Sequence, residues 1–340
     1  MDGVIWDWAS FALRWLHVVT VIAWIGSSFY FVMVDLGLRP AQNAPKGVGG
    51  ETWQVHGGGF YHLQKYLVAP EGMPKELTWF KWESYGTWLS GFFLMCVVYY
   101  VGADLYLIDR AVLDMPHWAA ILVSLATLAS GWIVYDLICK SPVGKDTTKL
   151  AIAVYVLLVV EAFALTHLFS GRGAFVHIGA IIATIMTANV FLIIIPNQKK
   201  VVASLLRGEA PDPALGKQAT QRSNHNNYLT LPVVFLMLSG HYPLAFATKF
   251  NWIIVALVIL MGGVIRHFFN TMHQHKAPPW WTWGVATLLF LLVVWLSSFP
   301  AVSTQARAAA LAPTPKVAAA MASPHFAAAR DVVVAHCSMC

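Results

Sequence analysis

Eight apolar runs, each long enough to cross a bilayer, leave this chain little choice of environment. They lie at about residues 8–34, 85–108, 116–138, 150–169, 174–195, 227–245, 251–270 and 281–299. A helix rises about 1.5 Å per residue, so about 20 apolar residues traverse a hydrocarbon core of about 30 Å. Only 11% of the 340 residues are charged, against about 25% in soluble domains. The pattern predicts an all-α integral membrane protein, a bundle of about eight transmembrane helices in a lipid bilayer. Its fifteen Trp suit the aromatic belts at the two membrane surfaces.

The basic residues orient the bundle. Fifteen Lys and Arg fall in one set of loops and span ends, among them Arg39, Lys140, Lys199, Lys200 and Arg207, while Arg110, Arg172 and Lys249 are the three on the other side. The positive-inside rule puts the first set in the cytoplasm and both termini outside, which for a bacterial inner membrane is the periplasm. The net charge of +6 is scattered through short loops and not gathered into a basic, aromatic-laced patch, so nucleic acid is not an expected partner. The start, Met-Asp-Gly, has no positive segment before the first apolar run, which reads as an uncleaved span.

Composition divides the chain into residues 1–300, the membrane domain; 301–325, an Ala/Pro-rich linker; and 326–340, which ends on Cys337-Ser-Met-Cys340. Cys-x-x-Cys followed by His is the haem c attachment signature. Here the His is not reached, and the segment is expected to be the start of an incomplete periplasmic cytochrome c domain. The other two cysteines, Cys96 and Cys139, sit in apolar runs and form no disulfide framework.

Polar residues inside apolar runs carry the chemistry. His17 lies about 16 Å into the first span, where an ionisable group is costly unless it is paired or ligates something. The pattern His17-x6-Trp24-Ile-Gly26 resembles the first helix of the membrane protoporphyrinogen oxidases and points to haem b ligation. His177 and His241, near the outer side, are further haem b candidates, as facing imidazoles hold low-spin haem. His267 joins them. A histidine hydrogen-bonded to a neighbouring helix, or facing water, is the plainer reading for each.

At the cytoplasmic side, Ser223-Asn-His225-Asn226-Asn227 opens the sixth run and Arg266-His-Phe268-Phe-Asn270 closes the seventh. Antiparallel neighbours bring such ends to one depth. Arginine, amides and aromatic rings there suit a planar, anionic heterocycle, although an Arg obeying the positive-inside rule needs no ligand. His225, Arg266 and Glu161, a mid-span carboxylate able to carry protons, are the catalytic candidates. Asn226, Asn227, Phe268, Asn270, Trp82 and Glu83 are the substrate-binding candidates. The loop 35–84 adds His56-Gly-Gly-Gly-Phe60, whose glycines permit a tight fold or lid. No hydrolase, P-loop or dinucleotide fingerprint occurs.

Taken together, Arg14–Gly26, Trp53–Phe60, Leu77–Tyr85, Ser170–Phe175, Asn189–Gln198, Arg222–Pro243 and Arg266–Asn270 resemble the bacterial membrane-bound, cytochrome-c-linked urate oxidases. The resemblance implies eight spans followed by a periplasmic cytochrome c domain. It also implies conversion of urate and water to 5-hydroxyisourate without hydrogen peroxide. Electrons would pass through membrane haem b to haem c at Cys337 and Cys340, then to a downstream cytochrome c or terminal oxidase. A quinol-type dehydrogenase, or a haem or metal transporter, are the alternatives left by the residues alone.

Overall fold

The computed structural model describes residues 2–70, 72–74, 76–301, 321 and 323–337. Five helices are long and apolar enough to cross a membrane: Val4–Gly37, His117–Lys140, Thr147–Thr166, Gly171–Leu206 and Asn251–His273. The other three expected spans take different forms. The run 85–108 is α2 (Trp82–Met95), a π turn (Cys96–Tyr100) and the short α3 (Ala103–Tyr106). The run 281–299 is the 17-residue α11 (Trp281–Ser297). The run 227–245 is only the second half of α8 (Pro213–Leu238), followed by a 3-10 turn and the short α9 (Pro243–Phe246).

Local chemistry sets the ends. α1 (Asp2–Gly37) stops where Arg39 bridges to Glu51. α4 (His117–Lys140) starts after Pro116 and stops just before Ser141-Pro142, since a residue preceding proline is pushed out of the helical region. Asp146 caps α5 (Thr147–Thr166) by accepting from the Thr148 and Lys149 amides. Ser170 caps α6 (Gly171–Ala188) through Gly173 N–H. α6 passes through a π turn, Asn189–Ile194, into α7 (Ile195–Leu206). Asp212, with Pro213 at the first helical position, starts α8 well before its apolar part. The segment 196–226, between the fifth and sixth apolar runs, is therefore mostly helix, and Ser223–Asn227 lie inside α8.

α6 is the centre of the bundle. Phe175, Ile178, Ile181, Ile182 and Ile185 are fully buried along it, with α4, α5 and α8 packed around it and α10 (Asn251–His273) against α5 and α8. α8 and α10 meet at Pro232, inside α8, and Gly262. A Cβ on Gly262 would fall 2.5 Å from Pro232 Cδ, so only glycine accepts the ring there. α1 is peripheral: 6% of its most apolar window is buried, against 56% for Gly171–Leu206. It leans chiefly on α2, whose Gly91 takes the His17 ring and whose Gly86 takes the Thr20 methyl. Small residues let membrane helices approach this closely.

Within the loop after α1, β1 (Val48–His56) and β2 (Gly59–Tyr66) form an antiparallel hairpin. Gly57 and Gly58 at its tip both have positive φ, which glycine adopts without strain. Tyr30 OH donates to Gln54 and Lys65 pairs with Asp35, tying the hairpin to the end of α1.

Candidate functional site

Two buried polar clusters share α8. Arg222, His225 and Asn226 follow helical spacing and face α4 and the π turn, while Asn227, about 100° further round, faces α10. Adjacent asparagines thus serve different clusters.

In the first cluster the buried guanidinium has a carboxylate partner. Arg222 donates to Asp136 at 2.7 Å, and Lys140 holds the other oxygen of Asp136 at 2.6 Å. The Arg222 guanidinium also lies over the Tyr135 ring, 4.9 Å from its centre. Asn189, the first residue of the π turn, donates to Tyr135 OH at 3.0 Å and to Asn226 Oδ1 at 2.9 Å. Because Asn189 occupies the phenol oxygen as a donor, the phenol proton goes to His225 Nδ1, 2.6 Å away. His225 is then the neutral tautomer with its proton on Nε2.

The second cluster is not neutralised. Arg266 is 4% exposed, and among the described residues no carboxylate lies within ion-pair distance of it. It donates instead to amide oxygens, Asn270 Oδ1 at 3.0 Å and Asn227 Oδ1 at 3.4 Å, and Asn270 donates to Asn227 Oδ1 at 2.8 Å. Phe29 of α1 forms the floor, its ring centre 3.9 Å from the guanidinium carbon. Two ring-edge groups are left over. Asn227 Nδ2 and His273 Nδ1 are both buried with no hydrogen-bond partner. Arg266, Asn270 and His273 form one stripe of α10 (i, i+4, i+7). Buried orphan donors beside an unbalanced cation call for an explanation. An anion with hydrogen-bonding edges supplies one.

A family model described as "Urate oxidase N-terminal" matches residues 3–297. The chain belongs to that family. No curated protein and no solved structure matches it. The match runs through both clusters, from Phe29 to His273.

The remaining candidates are placed as follows. Phe268 is buried on the opposite side of α10 from Arg266, against Trp280 and Trp283. Trp82 is exposed at the start of α2 beside Tyr85, and Glu83 is half-exposed next to it. Glu161 lies between α4 and α6, beside Gly131 and Ile181, and not at Arg266. His177 is fully buried with both ring nitrogens engaged: Nδ1 donates to Gly173 O and Nε2 accepts from Ser124, each at 2.7 Å. His17 donates from Nδ1 to Thr87 O at 3.0 Å, which leaves Nε2 available to a ligand. His241 is exposed in the turn after α8, and His267 is exposed beside Trp281. As arranged, His177 offers no free ring nitrogen to a haem iron. Cys340 lies outside the described residues, and the side chain of Cys337 does too.

Sequence reasoning missed Tyr135, Asp136, Asn189, Arg222, Phe29 and His273. A signal was present for two of them. Tyr135-Asp136 interrupts an apolar run with a carboxylate, and Asp136 needed a cation partner to sit there.

Proposed function

We propose that this chain is a membrane oxidoreductase that converts urate and water to 5-hydroxyisourate. The carrying observation is Arg266, a buried cation that, among the described residues, donates to neutral amide oxygens and to no carboxylate. Urate is a planar monoanion near neutral pH with alternating donors and acceptors around its edge. Arg266 meets its charge, Asn227 Nδ2 and His273 Nδ1 meet its edge, and Phe29 offers a flat contact. Tyr135 and His225 form the neighbouring proton-accepting pair. A proton reaching the phenol oxygen is matched by transfer of the phenol proton to His225 Nδ1.

The conversion adds one water oxygen to the purine and releases two electrons and two protons, without hydrogen peroxide. The electrons leave to a one-electron carrier. The resemblance implies haem b, then haem c at Cys337 and Cys340, then a cytochrome c or terminal oxidase. We further read α2, the apolar half of α8 and α11 as crossings, eight in all, in the bacterial inner membrane. The basic ends near Arg39, Lys140 and Arg207 then face the cytoplasm, and the segment after residue 300 faces the periplasm.

The test is anaerobic incubation of the purified protein with urate and a soluble one-electron acceptor. Urate loss matched by two equivalents of reduced acceptor is expected, and Arg266→Ala should abolish both urate binding and turnover. Normal turnover in Arg266→Ala would remove Arg266 from the site. Binding without turnover in the wild type would make the chain a urate carrier.

A further inference from the structure

The inward face of α4 is a polar seam along the helix. Its buried residues are Ala120, Ser124, Leu128, Gly131, Tyr135 and Cys139, and three of them touch ionisable or hydroxyl groups of other helices. At one end Tyr135 donates to His225. One turn away, Gly131 faces Glu161 of α5. A Cβ at Gly131 would lie 3.1 Å from Glu161 Oε1 and 2.5 Å from Ile181 Cγ2. Two turns further, Ser124 joins Tyr100 and His177, with oxygen-to-oxygen and oxygen-to-nitrogen distances of 2.7 Å. His177 Nδ1 is the donor to Gly173 O, so Nε2 accepts from Ser124 and Tyr100 OH donates to Ser124. His117, part-exposed at the start of α4, closes the seam with Nε2 on Tyr100 O at 2.6 Å and Nδ1 3.5 Å from Asp104.

Glu161 is the odd member. Its Oε2 is buried without a hydrogen-bond partner, and among the described residues no cation lies within ion-pair distance of it. A bare carboxylate in that setting is untenable, so the group holds its proton and has no fixed neighbour to give it to. A structural carboxylic acid would donate to a backbone carbonyl or side chain. Along the axis Gly131 lies about 6 Å from Tyr135 and about 10 Å from Ser124, so transfer between these groups requires water to enter between them.

We propose that Glu161 is the central proton-carrying site of a transfer path along α4, running from Tyr135–His225 to Ser124–His177–Tyr100 and out past His117. The neutral Glu161 acid first releases its proton toward Tyr100 and Ser124. The short-lived carboxylate then takes a proton from the Tyr135–His225 pair, which restores the neutral acid. Each transfer breaks one O–H or N–H bond and makes another, with no change in electron count. The proposal rests on the urate reading only for the source of the protons, two per urate converted.

The test needs no urate. Wild-type protein and Glu161→Gln are reconstituted into potassium-loaded liposomes containing a pH-sensitive dye, and valinomycin sets the potential. Wild type should admit protons several-fold faster than protein-free liposomes. Glu161→Gln, an isostere of the neutral acid, should return to the protein-free rate. Wild type treated with dicyclohexylcarbodiimide, which attacks protonated carboxyls in apolar surroundings, should do the same, with the adduct mapped to Glu161 by mass spectrometry. Flux at the protein-free rate in wild type, or unchanged flux in Glu161→Gln, overturns the proposal. If the variant does not reconstitute, unchanged flux in the modified wild type overturns it equally. Absence of urate oxidation would sink the functional reading and leave this result standing.

Discussion

The guanidinium of Arg266 lies 3.9 Å from the ring centre of Phe29, across the contact between α10 and α1. α1 otherwise offers little to the core, so Phe29 is its main contribution to the site. Phe29→Leu keeps the apolar volume and removes the ring face, which at a desolvated site is worth about 1–2 kcal/mol. Urate affinity should fall by about five- to thirtyfold, measured by calorimetry on the purified protein. Unchanged affinity would place the anion away from the Phe29 side of Arg266.

The Arg222–Asp136 pair should behave as a structural pair. Arg222 is 3% exposed, and Asp136→Asn leaves that charge without its carboxylate, a loss of about 3–5 kcal/mol. Thermal unfolding in detergent should shift down sharply. The double variant Asp136→Asn/Arg222→Gln should recover part of the loss, since it removes the stranded charge. A double variant no more stable than Asp136→Asn would show that the Arg222 charge is not the problem.

Tyr135→Phe removes a hydroxyl that both accepts from Asn189 and donates to His225. Two buried groups then lose a partner, at about 1–3 kcal/mol each at most. Urate turnover should drop while urate binding at Arg266 stays near wild type. A parallel fall in binding would mean that the two clusters are one site.

Gly262→Ala tests the α8–α10 contact. The new methyl would meet Pro232 at 2.5 Å, and neither a proline ring nor a helix backbone gives way easily. A loss of about 1–3 kcal/mol is expected from overpacking, together with weaker urate binding, because Asn227 and Arg266 sit on these two helices. Wild-type stability would show that the helices separate at no cost.

The hairpin carries a pH dependence of its own. His62 Nε2 donates to Glu51 Oε2 at 2.9 Å, and this hydrogen bond holds the Glu51 carboxyl below the usual carboxylate range. A depressed folded value means that the contact stabilises the hairpin above the ordinary Glu range and is lost as pH falls through the lowered value. Hydrogen exchange of the peptide spanning 48–66, corrected for intrinsic rates, should quicken over that acid range in wild type. In Glu51→Gln the exchange should be fast at every pH. A pH-independent wild type would rule the contact out as a tether.

The membrane class was legible because length and apolarity alone decide it. The meeting of Arg266, Asn227 and Asn270 was legible too, since antiparallel spans must bring their ends to one depth. The split between Asn226 and Asn227 was not, because it depends on the rotation of α8, set by packing against α6 and α10. The start of α8 at Pro213 was hidden by its polar first half, although Asp212-Pro213 is a capping signal. Tyr135 and His225 are 90 positions apart in the chain, and no local pattern announces their contact. The hairpin was masked by glycines at 49, 50 and 57–59, which weaken the alternation a strand shows.

Asn189 reaches Tyr135, Asn226 and Arg222 from the first position of a π turn. Such a turn is a helix holding one residue more than its α-helical repeat requires. Loss of a single residue within 189–194 would restore ordinary α-helix, leaving α7 nearly in phase with α6 but removing the wide turn from which Asn189 reaches the cluster. Chain length through that segment is therefore a marker that can be counted in any homologue. Relatives that keep the extra residue inherit the geometry of the Tyr135–His225 cluster, and relatives one residue shorter must build their proton chemistry another way.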